Sequence, residues 1–63
     1  MNNKLKEVRE NKGISQEELS LKSGVSRTTI SSLENQKAMD VKSSTLISLA
    51  NALEMEITDI FFN

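Results

Sequence analysis

The 63-residue chain has no cysteine and no histidine, and its only aromatic residues are Phe61 and Phe62. Without cysteine there is neither a disulfide nor a thiolate-held metal. Without histidine the commonest general base and metal ligand is missing, so catalysis would have to rest on carboxylates, serine or lysine. The acidic residues are scattered over predicted helix surfaces, with no sign of a desolvated pocket. An enzyme is therefore not expected, nor a cofactor, a small-molecule ligand or a metal. No apolar run approaches the roughly 18 residues that span a bilayer. Met1 leads straight into a polar amphipathic pattern rather than a signal peptide, and a soluble, cytoplasmic protein is expected. Internal repeats, low-complexity tracts and linkers are absent too. Residues 1–63 read as one small domain, with no separate sensor or oligomerisation module. A chain of this size buries only about 60% of the surface its unfolded form exposes, so its stability is modest unless a partner adds to it.

What is present centres on residues 15–35, SQEELSLKSGVSRTTISSLEN. Ser15 is a good N-cap, and Glu18 three residues on completes a capping box. Gly24 stops that helix, because only glycine enters the left-handed conformation without steric penalty. Ser26 is the next N-cap, and a second helix follows from Arg27 to about Asn35. Helix, tight turn with glycine, helix is the helix-turn-helix layout, whose second helix commonly lies in the DNA major groove.

At about 100° per residue, Ile30 and Leu33 fall on one side of the second helix. Arg27, Thr28, Ser31, Ser32 and Asn35 fall on the other. That face carries one cation, three small hydroxyls and an amide, groups that hydrogen-bond to base edges and phosphates. An ordinary solvated face would more often carry Glu and Lys at i, i+4. Serine and threonine are poorer helix formers, so their presence calls for another reason.

The run from Ile14 to Leu19, then Gly24 to Asn35, closely resembles the Cro/phage-repressor type of helix-turn-helix, the xenobiotic-response-element group. Leu5 and Arg9 before it extend the likeness, as do Thr45, Leu46, Leu49, Ala50, Ala52, Leu53, Ile60 and Phe61 after it. The resemblance implies an all-α fold: a compact five-helix, repressor-like DNA-binding domain in which helices 2 and 3 form the helix-turn-helix. It implies a structural salt bridge between Arg9 and Glu34, although Arg9 taken alone reads as a solvated charge. It also implies that Gln16 lies over the DNA backbone and braces the start of the recognition helix. Without the resemblance, Gln16 is an ordinary polar residue of a first turn. Four positions depart from the family pattern, one of them Val41, near which the family commonly has proline in a slightly shorter loop. Gln36 and Glu54 stand where glycine is common, and Ser20 where alanine is common. Ser20 is expected to bond to a carbonyl one turn back.

The remaining elements follow from pattern. A first helix is expected over about 3–12, capped by Asn2 or Asn3 and ended by Gly13, with Leu5 and Val8 inward. A loop follows Asn35, where Met39 and Val41 either fold back or meet a second subunit. The fourth helix should start at Ser43 or Ser44 and run to about Leu53. Leu46, Leu49, Ala50 and Leu53 form its core stripe, widened by Ile47 and Ala52. A short fifth helix is expected over about 58–62. Leu21 points outward, and a lone exposed leucine needs no explanation.

The function expected is a double-stranded-DNA-binding transcriptional regulator, a repressor, acting as a homodimer on a palindromic operator. Arg27, Thr28, Ser31 and Ser32 are the candidate base contacts. Gln16, Ser26, Asn35, Lys37 and Lys42 are the candidate phosphate contacts. The dimer interface is placed on Met55, Ile57, Phe61 and Phe62. Adjacent residues on a helix diverge, so one phenylalanine can join the core while the other is exposed. Eight basic against nine acidic residues, a net charge of −1, do not favour nucleic acid, but their distribution does. Four cations against two acids occupy 1–12, and again 22–42. Beyond 43 there is no cation, and Glu54, Glu56 and Asp59 follow. This polarity holds the acidic end away from a phosphate backbone and predicts a shallow salt slope. The competing expectation is a protein-interaction module, such as an antitoxin or a partner of another regulator.

Overall fold

The computed structural model describes residues 2–38 and 40–61. Five helices follow in order: α1 (Leu5–Asn11), α2 (Gln16–Ser23), α3 (Arg27–Glu34), α4 (Ser43–Ala52) and α5 (Ile57–Ile60). Each contributes to one core, in which Leu5, Leu19, Ile30, Leu33, Leu49, Leu53 and Ile60 are fully buried. Burying one such side chain contributes about 1.5–3 kcal/mol, so these few residues dominate the stability of so short a chain. Val41 folds back onto this core; Met39 lies outside the described residues. Among the described residues no helix is long and apolar enough to cross a membrane.

The helix-turn-helix forms from local signals. Ser15 accepts from the Glu18 amide at 3.0 Å, and the Glu18 carboxylate accepts from the Ser15 amide at 3.1 Å. Gly24 ends α2 at φ 76°. Ser26 caps α3 by accepting from the Thr29 amide at 3.2 Å. Two further serines close the turn. Ser23 Oγ donates to the Leu19 carbonyl and accepts from the Val25 amide, while Ser20 Oγ donates to the Val25 carbonyl at 2.7 Å. The Ser20 bond therefore runs forward across the turn rather than back along α2, because the turn presents the Val25 carbonyl to it.

Several helix ends differ from the sequence expectation. α1 starts at Leu5, later than expected, with Lys4 at the N-cap; Asn3 Oδ1 accepts the Leu5 amide at 2.9 Å. The α4 N-cap is Lys42, which makes no side-chain cap, and Ser43 and Ser44 lie inside the first turn. α5 starts at Ile57 through a capping box between Glu56 and Asp59. It ends before Phe61, which is extended and bridges antiparallel to Asn3. The Lys4 amide donates to the Ile60 carbonyl at 2.8 Å, which ties the two ends of the chain together.

Three helices share one form of ending. After α1, Gly13 donates to Glu10 and Ile14 to Arg9; after α3, Gln36 donates to Leu33 and Lys37 to Ser32; after α4, Glu54 donates to Asn51 and Met55 to Ala50. Each is a Schellman motif, which puts the residue after the C-cap in the left-handed region. Those residues are Gly13 (φ 72°), Gln36 (φ 59°) and Glu54 (φ 58°). Glu54 thus stops α4 as sharply as glycine would. Ile47 departs from its expected place: it is 47% exposed and does not widen the core stripe, whereas Ala52 packs against the core.

Candidate nucleic-acid interface

The outer face of α3 exists because its inner face is fixed. Ile30 and Leu33 are fully buried, so the helix cannot rotate about its axis without losing both. Arg27 and Thr28 are then exposed, and Ser31 and Ser32 half-buried. With Gln16 from the start of α2, these four line one open groove of about 420 Å³. Side chains from two helices, each of a type that reads base edges or phosphates, meet on one surface.

The helix is also held from behind. Arg9 Nε donates to Glu34 Oε2 at 2.6 Å and Arg9 Nη2 to Glu34 Oε1 at 3.1 Å, a two-point ion pair from α1 to the end of α3. Arg9 Nη1 donates to the Ile14 carbonyl at 2.8 Å. Gln16 Nε2 donates to Glu34 Oε1 at 3.0 Å, and Gln16 Oε1 accepts from Arg27 Nε at 3.4 Å. Burial pushes the Glu34 carboxyl up. The hydrogen bonds from Arg9 and Gln16, with the Arg9 charge, outweigh it and hold the group below the ordinary glutamate value. The bond to Glu34 raises Arg9 above its ordinary value against the opposing effect of burial.

The other candidate contacts are dispersed. Lys42 lines a second open groove of about 450 Å³ beside α3, with Thr28, Thr29 and Ser32 on one wall and Thr45 on the other. Lys37 and Asn35 are exposed at the C-terminal end of α3, and Asn35 Nδ2 donates to Ser31 Oγ at 3.4 Å. The Ser26 hydroxyl is engaged in the cap and donates to Thr29 Oγ1 at 2.9 Å. Thr29, Thr45 and Asp40 line the second groove and are not among the contacts expected from the sequence. Ala38 and Val41 join them there; these two and Asp40 come from a stretch that carries no turn signal.

The expected dimer surface is altered. Phe61 is 8% exposed and belongs to the core, so it is not part of an open patch. The antiparallel bridge to Asn3 turns it inward. Met55 and Ile57 are half-buried against the same core. Phe62 lies outside the described residues. The large exposed apolar residues among those described are Leu21, 81% exposed, and Ile47.

Comparison with known proteins gives one finding. A family model described as helix-turn-helix matches residues 5–60, nearly the whole chain. Comparison with curated proteins gives no match, and neither does comparison with solved structures.

Proposed function

From the premise that this chain belongs to the Cro/phage-repressor type of helix-turn-helix family, a family of DNA-binding regulators, we propose that it is a sequence-specific repressor. It acts in the cytoplasm as a homodimer, with α3 in the major groove of a palindromic operator. The observation that carries this reading is the groove shared by Gln16, Arg27, Thr28, Ser31 and Ser32. Arg27 donates to guanine O6 and N7, Thr28 sets its methyl group against a thymine methyl, and Ser31 and Ser32 bond to a neighbouring base or phosphate. Gln16, Asn35, Lys37 and Lys42 hold the domain on phosphates. Ser26 supports the same contact through its cap rather than through a free hydroxyl.

Size supports the dimer. The described residues span 25 × 21 × 19 Å, whereas successive half-sites on one face of the duplex lie roughly 34 Å apart. One copy therefore covers one half-site. Linking two copies raises the effective concentration of the second. The interface uses the acidic end, where the exposed parts of half-buried Met55 and Ile57 stand among Glu54, Glu56 and Asp59.

The test is fluorescence anisotropy of wild type and Arg27→Ala on random duplex and on the promoter region beside the protein's own gene, at two salt concentrations. Promoter binding that exceeds random binding, and that Arg27→Ala reduces, is the expected result. Equal, feeble binding to both duplexes overturns the proposal.

A further inference from the structure

The Arg9–Glu34 pair does more than join two helices. Ionised Glu34 can only accept hydrogen bonds, and the Arg27 guanidinium can only donate them. Gln16 stands between the two, with Nε2 on Glu34 at 3.0 Å and Oε1 facing Arg27 Nε at 3.4 Å. With an acceptor on one side and a donor on the other, one amide orientation alone satisfies both. The brace of Gln16 on the start of α3 is what the family resemblance implied; we infer a further step, that Glu34 is a positioning residue for base recognition, because it sets the polarity of the Gln16 amide that faces Arg27.

This inference rests on the reading of α3 as the groove-binding helix. Glu34 itself is 7% exposed and sits behind the reading face, so it acts only through its neighbours. Arg9 clamps it with two bonds and is in turn fixed by the Ile14 carbonyl. The Gln16 amide therefore bonds to a rigid acceptor rather than to a mobile one. The link to Arg27 is the longest and most exposed of the series. It restricts the arginine's direction, engages Nε and leaves the Nη fork as the end that reaches O6 and N7. A free arginine at a helix start would sample many rotamers, and ordering it would oppose binding.

Glu34→Gln tests the relay because it keeps the shape and reverses the polarity. The new amide gives its oxygen to Arg9 and its nitrogen to Gln16. Gln16 then turns its own donor towards Arg27. The exchange Gln16→Glu with Glu34→Gln restores an acceptor facing Arg27. Gln16→Met removes the middle link and leaves the ion pair intact, which covers the case in which Glu34→Gln fails to fold.

Two readouts are taken on the full chain. The first is the Arg27 Nε–H resonance in 15N-labelled protein without DNA, assigned by its disappearance in Arg27→Ala. The second is base preference in a selection from a randomised duplex pool. The expected result is that Glu34→Gln and Gln16→Met move the resonance to the position of a solvated arginine. Both also lose roughly tenfold of the preference at the base pair that Arg27→Ala ceases to read, and the exchange variant, which sets a carboxylate where Gln16 meets phosphate, regains the resonance read without DNA. An unmoved resonance with unchanged preference in folded Glu34→Gln or Gln16→Met overturns the relay. So does a resonance shift that the exchange does not restore, which marks a merely structural role. If wild type enriches no sequence, the groove reading itself fails, and the resonance still decides whether the relay exists.

Discussion

Arg9 and Glu34 meet at two points, 2.6 and 3.1 Å, with side chains 12% and 2% exposed. The pair closes α1 onto the end of the recognition helix. Because Glu34 is buried, removing Arg9 leaves its carboxylate with the Gln16 hydrogen bond and no paired charge. Arg9→Met should cost about 3–5 kcal/mol, far above the roughly 0–1 kcal/mol of an exposed pair. Urea unfolding followed by circular dichroism measures this, and a cost below about 1 kcal/mol would place the pair with ordinary surface contacts.

The same pair gives the protein an acid-sensitive component. The Glu34 carboxyl titrates below the ordinary value when folded, so between the two values the unfolded chain binds more protons. Stability from this group is fully present above the unfolded value of about 4.3 and is lost as pH falls through the folded one. Wild type should therefore lose more stability than Glu34→Gln on going from pH 6 to pH 3. Parallel stability profiles for the two proteins would contradict the assignment.

The left-handed ends of α3 and α4 make opposite predictions for one substitution. Glu54 sits at φ 58° with an exposed side chain. A non-glycine residue there costs about 1–2 kcal/mol, partly offset by glycine's own entropy. Glu54→Gly should stabilise by about 0.5–1 kcal/mol. Gln36, at φ 59°, accepts from the Asn3 amide and Nδ2 and donates to the Asn3 carbonyl, at 3.1–3.2 Å. Gln36→Gly should therefore gain nothing or destabilise. Thermal melting of both variants checks the contrast.

Caps separate the serines. Ser15→Ala and Ser26→Ala should each cost about 1 kcal/mol, since both accept a first-turn amide. Ser43→Ala and Ser44→Ala should fall within about 0.5 kcal/mol of wild type, since neither is the cap of α4.

Lys42 trades stability against binding. It holds the α4 N-cap position at φ −66°, ψ 145°, without a side-chain cap, and serine suits that backbone. Lys42→Ser should stabilise by about 0.5–1 kcal/mol. It should also weaken binding to all duplexes and lower the salt slope by about 1. Melting and a salt titration read the two effects separately.

Residues 15–35 were legible in the sequence because their signals are local. Ser15 with Glu18, Gly24, and Ser26 each act within one turn of chain, so spacing and residue type settle the outcome. The inward faces of α2 and α3 were legible for the same reason, through Leu19, Ile30 and Leu33. The Arg9–Glu34 pair joins residues 25 positions apart, and residue pattern alone gave Arg9 no partner; the family resemblance implied one.

The tertiary structure decided what depends on distant chain. Gln36 and Glu54 hold the conformation that glycine favours, each within a Schellman pair of hydrogen bonds that residue type did not announce. Local pattern left open which phenylalanine joins the core; Phe61 does, beside an antiparallel bridge to Asn3 near the other end of the described chain. The loop path brings Thr29, Thr45, Asp40 and Lys42 around one groove, and no local signal encodes that path. Capping and helical periodicity are properties of neighbouring residues, so the sequence by itself determined the recognition helix and its face. The support behind that face is a matter of contacts across the fold, and only the packed chain could supply it.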